Sequence, residues 1–390
     1  MLRMTASPRG KPRRFALQYF KHQFVLLTIY ADEEKGMKNK KKKLAGLLSS
    51  AAALLVVLAG ILLGEDYLLP LVEEPARSTG EGLCVHYIDV GQADSCLLSC
   101  DGEYMLIDGG NVDDGRLVVS YLEQQGVSEL KAVICTHAHE DHVGGLAAVL
   151  AVYPTRAVYS PTTTYASKCF DDFMRYVDQQ RLTVTAPVPG DGFDLGSARV
   201  TILGPVKDYP DTNNTSIVTR VDYGSTSFLF TGDMEQEAEI DLLDAGANVK
   251  ADVLKVGHHG SNTSSGYRFL YEVEPEYGVI SVGTGNTYGH PHEQPLSRLL
   301  HAEATLFRTD YLGTVVARSD GSEITFTWDN QSAAPENAQY AGQFIGNRNS
   351  RVFHGEGCSG LPSERNRVTF ESYRQALEAG YTPCRSCLGG

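Results

Sequence analysis

The sequence lacks several features that would assign it to a particular class of protein. Its 390 residues contain no repeat of the solenoid type. Only residues 44–64 form an uncharged apolar run that is long enough to cross a bilayer as a helix. One such run cannot build a membrane pore, so we do not expect this chain to be a channel. With 42% hydrophobic and 21% charged residues, it has instead the composition of a folded globular protein.

Basic residues are scarce outside the N-terminal region. The formal net charge is −14, although residues 1–43 carry 12 Lys and Arg residues against 3 Asp and Glu residues. The rest of the chain is therefore more acidic than the whole, and such a surface repels polyanions. If the substrate is a phosphodiester, bound metal and a local patch of the surface must offset this repulsion.

A basic cluster formed by Lys38 and residues 40–43 directly precedes the apolar run. This order predicts a single-pass anchor in the cytoplasmic membrane, with the N-terminus inside and the remainder of the chain outside. A cleaved signal peptide, and hence a secreted protein, is one alternative, and a buried core helix is another. Met37 is a natural start for such a segment, so we interpret residues 1–36 as an over-extended gene start. Residues 65–81, which are acidic and contain Pro and Gly, are predicted to be a linker.

Three histidines and one aspartate lie within six positions near the middle of the chain. Residues 132–135 predict a buried strand, and an Ala-rich helix is predicted after Gly144 and Gly145. The polar cluster between them occupies a strand-to-helix turn, which directs several side chains to one point. Imidazole and carboxylate groups are ordinary ligands of zinc and similar divalent ions. The four candidate metal ligands are His137, His139, Asp141 and His142.

The spacing His-x-His-x-Asp-His resembles the signature of the metallo-β-lactamase superfamily. Further segments resemble one branch of it, the extracellular hydrolase domain of the competence DNA-uptake protein ComEC, and they occur in the order of that family. The matching segments are residues 87–95, 106–110, 229–233, 252–261 and 288–291. The sequence pattern alone predicts only a mixed α/β (α+β) fold, with strands in two runs. The resemblance covers residues 82–328 and implies an αββα sandwich.

The resemblance also implies roles for individual residues. Asp108 would hydrogen-bond to the histidine-rich loop and orient the ligands without binding the metal itself. Asp233 would bridge two metals, although an aspartate after a glycine at a strand end is also a common helix N-cap. His259 is the candidate ligand of the last histidine motif. His258 is either the alternative ligand or a residue that contacts the ligands without binding the metal.

One ligand that this superfamily usually has is missing, because no histidine occurs between residues 143 and 232. Asn214 or Ser216 in this interval is a candidate to face the first metal or the substrate. The first site would then keep only two histidines, and the second metal would have the remaining ligands. The expected sets are His137 and His139 for the first metal, and Asp141, His142 and His259 for the second.

Two divalent ions, which can be zinc, manganese or a mixed pair, suit hydrolysis by the in-line attack of a hydroxide. Asp141 would orient the hydroxide or take its proton. His290 is a candidate to bind the substrate or to protonate the leaving group, and a structural role beside Pro291 is the alternative.

The tail follows a predicted linker at residues 329–339 and forms a second domain over residues 340–390. A region of about 50 residues can hardly bury a sufficient core alone, so a structural metal is expected. The patterns His-x3-Cys and Cys-x2-Cys have the spacing of zinc ligands, and two unrelated pairs, one of them a disulfide, are the alternative. The four candidate zinc ligands are His354, Cys358, Cys384 and Cys387.

The order of these ligands resembles the zinc-binding domain of the Ada DNA-repair protein. In Ada, four cysteines bind zinc, and the first of them accepts a methyl group from DNA. Here His354 stands at that position, so zinc binding is expected and methyl transfer is not. The tail carries 6 Arg and 4 Glu residues, and DNA contact is a hypothesis.

Three functions are compatible with these patterns. The first is a membrane-anchored, extracellular metal-dependent phosphodiesterase or nuclease that acts on DNA. The second is a hydrolase of another ester or of a small phosphodiester in the cell envelope. The third is a DNA-binding accessory without catalysis. The complete histidine cluster argues against the third function. The negative charge of the chain after residue 43 weakens the first function relative to the second. Nothing in the sequence identifies a protein partner.

Overall fold

The structure, a computed structural model, describes residues 82–336 and 343–388. All of them fall in one compact unit, Pro75–Gly390. The predicted anchor at residues 44–64 and its flanking regions, 1–43 and 65–81, lie outside the described residues. Within the described ranges, no helix is long and apolar enough to cross a membrane.

Strands alternate with short helices over residues 82–328, which are called the body below. The helices are α1 (Gly115–Gln124), α2 (Glu140–Val143), α3 (Leu146–Val152), α4 (Lys168–Gln179), α5 (Gln236–Asp244), α6 (Tyr267–Val273), α7 (Glu293–His301) and α8 (Thr309–Leu312). The strands are β1 (Leu83–Tyr87), β2 (Cys96–Cys100), β3 (Glu103–Ile107), β4 (Ala132–Ile134), β5 (Val158–Tyr159), β6 (Val184–Thr185), β7 (Gly192–Leu195), β8 (Ala198–Gly204), β9 (Val218–Tyr223), β10 (Thr226–Phe230), β11 (Val253–Lys255), β12 (Tyr277–Ile280), β13 (Thr305–Arg308), β14 (Val315–Ser319) and β15 (Ile324–Trp328).

These strands form two sheets. The first has the order β15-β14-β1-β2-β3-β4-β5-β6 and the second the order β13-β12-β11-β10-β9-β8-β7. Each sheet has an antiparallel part and a parallel part, and the parallel parts are β3 to β6 and β10 to β13. Parallel neighbours end at the same edge of a sheet, so the loops after β10 and β11 can approach one another at one edge of the second sheet.

The main core lies between the two sheets. Because strand side chains alternate in direction, Val85 and Tyr87 of β1 face inward and meet Phe228 and Phe230 of β10. The rings of Tyr87 and Phe230 lie 6.1 Å apart between centroids. Burial of each such side chain contributes about 1.5–3 kcal/mol to the stability of the fold.

Helices cover the outer face of each sheet. Apolar residues of α1, α3 and α4 pack on the first sheet, and those of α5, α6 and α7 pack on the second. This gives the four layers α, β, β and α, as the resemblance implied. The helix α6 was not predicted from the sequence.

The tail forms a small sheet with two short helices. Its elements are β16 (Phe344–Asn347), β17 (Val352–Gly355), β18 (Arg367–Phe370), α9 (Tyr373–Glu378), β19 (Thr382–Pro383) and α10 (Arg385–Leu388), and its strand order is β18-β16-β17-β19. The core of the tail is shared with the body, because Tyr267 and Tyr271 of α6 pack against it. The rings of Tyr267 and Tyr373 are parallel within 2°, with centroids 5.2 Å apart.

The described part of the predicted linker, residues 329–336, lies along the body. Trp328 donates its indole N–H to the carbonyl of Ala333 at 3.1 Å. Glu336 pairs with Arg308 of β13 at 3.2 Å. These contacts hold the described residues of this segment at the edge of the second sheet.

Candidate metal centre

The histidine-rich loop begins where β4 ends and continues into the short helix α2. Thr136 anchors its start, because its backbone N–H and its hydroxyl donate to Asp108 at 2.8 and 2.6 Å. His137 and His142 are fully buried, and their ring centroids lie 4.1 Å apart. Nε2 of His137 lies 3.0 Å from Nδ1 of His139. The loop therefore gathers its three imidazoles at one point, as its strand-to-helix position predicts.

Asp108 determines the orientation of His142. The ring N–H at Nδ1 of His142 donates to Asp108 at 2.8 Å. The other nitrogen, Nε2, then faces Oδ1 of Asp233 at 3.2 Å. A carboxylate behind a histidine fixes the tautomer and the direction of a metal ligand, which is the role that the resemblance implies for Asp108.

Asp233 lies among the histidines, directly after a glycine whose conformation and close contacts disfavour any side chain. Gly232 has φ 51°, and a Cβ there would lie 2.9 Å from the Ser216 hydroxyl and from Thr136. The Asp233 carboxylate lies 3.2 Å from Nε2 of His142 and 3.7 Å from Nε2 of His259. This is the central position expected of a carboxylate that bridges two metals.

His258 and His259 both have left-handed backbone conformations, with φ of 49° and 52°. Such residues cost roughly 1–3 kcal/mol each and concentrate at functional sites. The N–H at Nδ1 of His259 donates to the Ser281 carbonyl at 2.9 Å, and Nε2 lies 3.3 Å from Asp141. His258 is more exposed, and its Nδ1 lies 3.2 Å from the Thr263 hydroxyl. The geometry therefore favours His259 as the ligand and places His258 at the rim.

Ser216 is the candidate from the histidine-free interval that contacts the histidine cluster. Its hydroxyl accepts a hydrogen bond from the Asp233 N–H at 3.0 Å and lies 3.5 Å from Nδ1 of His137. The Asn214 side chain instead accepts a hydrogen bond from the Glu235 N–H at 3.0 Å. Of the two candidates, Ser216 is the one that reaches the histidines, and Asn214 holds the loop that follows Asp233.

Several buried polar atoms at this centre have no hydrogen-bond partner among the described residues. Among them are Nε2 of His142, Oδ1 of Asp233 and Nε2 of His259. Buried polar atoms are rarely left unpaired in native proteins, so the three atoms fit a bound cation. One ligand atom from each of four residues lies within 4.8 Å of the others, and these residues are Asp141, His142, Asp233 and His259. His137 and His139 form an adjacent pair outside that group, so the donors suit two ions.

The pKa values of the histidines and of Asp141 also agree with a site that binds a cation. Burial holds the pKa of His137 well below its usual value, so its ring is neutral and can bind a metal. Burial lowers the pKa of His259, but Asp233 and Asp94 outweigh this effect and raise it to about 10. Burial raises the pKa of Asp141, but His142 and His259 outweigh it and bring it to about 2. The carboxylates thus attract positive charge, and a metal would release the proton from His259.

Two functional candidates were not identified from the sequence, Asp94 and Lys255. Nζ of Lys255 lies 2.8 Å from Asp94, which lies 3.3 Å from Nδ1 of His259. All three side chains are buried. Removal of one partner of such a pair costs about 3–5 kcal/mol, because the other charge remains buried. Both residues lie in segments that match the family, 87–95 and 252–261, but 161 positions separate them, so no local spacing indicates that they pair.

His290 lies over the centre, near His258 and His259. The amide of Gln92 accepts a hydrogen bond from the Gly283 N–H at 3.2 Å, and its nitrogen lies 3.3 Å from Nδ1 of His290. An amide nitrogen only donates, so Nδ1 accepts and Nε2 of the neutral ring carries the hydrogen. Burial and the neighbouring histidines lower the pKa of His290 to about 4. The neutral ring can therefore donate a hydrogen bond to a substrate oxygen.

The tail brings its four predicted ligands together. Their ligand atoms lie within 4.8 Å of one another, and these residues are His354, Cys358, Cys384 and Cys387. Nδ1 of His354 lies 3.3 Å from Sγ of Cys358. The three cysteines are free thiols, so the arrangement fits a tetrahedral zinc site and not a disulfide.

Comparison with known proteins agrees with this geometry. The sequence profile of the metallo-beta-lactamase superfamily matches residues 88–284, which is half of the chain. The chain belongs to the metallo-beta-lactamase superfamily. The profile of the metal-binding domain of Ada matches residues 330–388. Both resemblances stated from the sequence are therefore confirmed, and the tail of this metallo-beta-lactamase superfamily member is Ada-like.

Relatives of this superfamily member include competence proteins. ComE operon protein 3 of Bacillus subtilis (strain 168) is 29% identical over 262 residues, which are 62% of this chain and 34% of that protein. Competence protein ComA of Neisseria gonorrhoeae is 34% identical over 229 residues, 58% of this chain and 31% of that protein. The chain thus spans about a third of the length of these relatives. The metallo-beta-lactamase fold protein YhfI from Bacillus subtilis has a TM-score of 0.42 and 14% identity, over 63% of this chain and 100% of that chain.

Proposed function

We propose that this metallo-β-lactamase-fold hydrolase is a metal-dependent phosphodiesterase that acts on DNA. The main support is the convergence of buried, unpartnered nitrogen and oxygen atoms from His142, Asp233 and His259 beside the pair His137 and His139. Such a donor set is suited to two divalent ions. The relationship to competence proteins supports DNA as the substrate.

The chain's own residues supply the groups for hydrolysis. Two bound ions would lower the pKa of a water molecule and stabilise the charge on the phosphoryl oxygens. The Asp141 side chain is 31% exposed, so it can meet both solvent and substrate while it orients the attacking water and accepts its proton. His290 donates a hydrogen bond from Nε2 to an oxygen of the substrate, since Gln92 occupies Nδ1.

The acidic body supports a second candidate, a hydrolase of a small phosphodiester or another ester of the cell envelope. A small substrate has fewer phosphates than DNA and is repelled less by the net charge of −14. A non-catalytic DNA-binding accessory is less consistent with the centre, because binding alone does not require buried ligands at these distances.

The test is turnover by the purified protein loaded with Mn²⁺ or Zn²⁺. We expect hydrolysis of single-stranded oligonucleotides and of bis(p-nitrophenyl) phosphate, and none of a lactam. Hydrolysis of the small ester without any cleavage of oligonucleotides would favour the second candidate. No hydrolysis of any phosphodiester by metal-loaded protein would contradict the proposal.

We also propose that the hydrolase acts outside the cytoplasmic membrane. The support is the basic cluster before the apolar run at residues 44–64, because positive charge marks the cytoplasmic side of a membrane helix.

This proposal predicts the outcome of protease treatment of intact cells. Protease added outside should remove residues 65–390, while a cytoplasmic marker protein stays whole. If the domain survives until the cells are lysed, it lies inside and the proposed location is wrong.

A further inference from the structure

A tyrosine beside the metal centre is held open to solvent. The side chain of Tyr288 is 68% exposed, which is the largest value for a large apolar side chain in the described part of the chain. One face of its ring lies against His290, with centroids 5.6 Å apart and planes within 25°. His290 lies in the same way against the predicted ligand His259, at 6.4 Å and 23°. The three rings therefore follow one another from the metal centre to the surface, with each consecutive pair inclined by 25° or less.

The loop that carries Tyr288 is held in one conformation. The side-chain oxygen of Asn286 accepts hydrogen bonds from the N–H groups of Tyr288 and His290, at 3.2 and 3.0 Å. The side-chain nitrogen of Asn286 donates to the carbonyls of Gly283 and His290, at 3.0 and 2.6 Å. These bonds fix the backbone that carries Tyr288, and an ordered loop lowers the entropic cost of binding a planar group.

The second tyrosine at this centre is not available in the same way. Tyr165 lies 6.1 Å from His139, but it also packs edge-on against Phe170 at 6.1 Å and is partly buried. Tyr288 is thus the ring at the rim whose outer face remains open.

We propose that the free face of Tyr288 is a stacking subsite for a nucleobase next to the scissile phosphodiester. This inference rests on the proposed function and specifies how the substrate is recognised. Stacking on an aromatic side chain accepts any base and needs no positive charge. It therefore gives the acidic body a source of affinity for nucleic acid that a basic groove would otherwise supply.

The experiment compares two single-stranded oligonucleotides that differ only in the nucleotides flanking the cleaved phosphate. One carries bases there, and the other carries abasic residues. Tyr288→Ala should lower kcat/KM for the first by about 10-fold, mainly through KM, which is the scale of one base–aromatic stack. The same substitution should leave the abasic substrate unaffected. Tyr288→Phe keeps the ring and should match the wild type on both.

The outcomes separate this inference from the proposed function. An equal loss on both oligonucleotides, or no loss on either, would overturn the stacking subsite while cleavage by the wild type upholds the nuclease. A metal-loaded wild-type protein that cleaves neither would overturn the proposed function, and the subsite with it. The metal content and melting temperature of Tyr288→Ala should equal those of the wild type, since the side chain is exposed.

Discussion

Replacement of Asp141 by asparagine should lower the turnover of phosphodiesters by more than roughly 100-fold, because even the partners of metal ligands typically cost 10–100-fold when they are lost. Asparagine keeps the shape of the side chain but removes its charge and its ability to accept a proton. The Asp141 carboxylate lies 3.3 Å from Nε2 of His259 and 3.9 Å from Nε2 of His142. The substitution therefore removes one charged predicted ligand from the group of four.

The loss should be confined to the metal centre. The core between the sheets is apolar and does not include Asp141, so circular dichroism and the melting temperature should change little. Asp194→Asn is the matched control, because this carboxylate on β7 is exposed and pairs with Arg199 at 3.0 Å, away from the metal centre. If a metal-replete Asp141→Asn protein hydrolyses the substrate at the wild-type rate, the proposed role of Asp141 and the metal-dependent course are wrong.

The second large effect concerns the tail. The double substitution Cys384→Ser and Cys387→Ser should remove about one zinc per chain, because two ligands cannot hold a tetrahedral structural site. The free energy of zinc binding contributes directly to the folding of small domains. We therefore expect residues 343–388 to lose protection from hydrogen exchange, while the body keeps its own.

Hydrolysis by the double variant should remain within a few-fold of the wild type, since the two metal centres use separate ligands. Substitution is preferable to a chelator, which would remove metal from both centres. Cys169→Ser is the control, as this buried cysteine of α4 belongs to neither ligand group. An unchanged zinc content in the double variant, or a tail that stays equally protected without zinc, would refute the structural zinc.

The parts of the site that are local in sequence were predictable. The histidine-rich loop and the two tail pairs place their ligands a few residues apart, so spacing alone indicates a shared metal. The αββα sandwich followed from the resemblance and is confirmed, with a zinc-binding region after it. The roles of individual ligands stay predictions until the metal is measured.

The parts that depend on distant contacts were not predictable. No pattern joins Asp94 to Lys255, since the pair exists only because β11 brings the lysine beneath the histidines. The choice between Asn214 and Ser216 required side-chain directions, which the sequence does not contain. The helix α6 is only seven residues long and rich in aromatic residues, so neither its length nor its composition predicted a helix.

The two tyrosines of α6 that pack against the tail, Tyr267 and Tyr271, affect where the chain can be cut into fragments. A hydrolase body that ends near residue 336 would leave Tyr267 and Tyr271 uncovered on one face of α6. An uncovered aromatic patch promotes self-association, so such a fragment would be less soluble than the whole chain. The excised tail would likewise lack the rings that complete its core. Fragments intended for crystallisation or assay should therefore keep both parts, or carry polar substitutions at these two tyrosines.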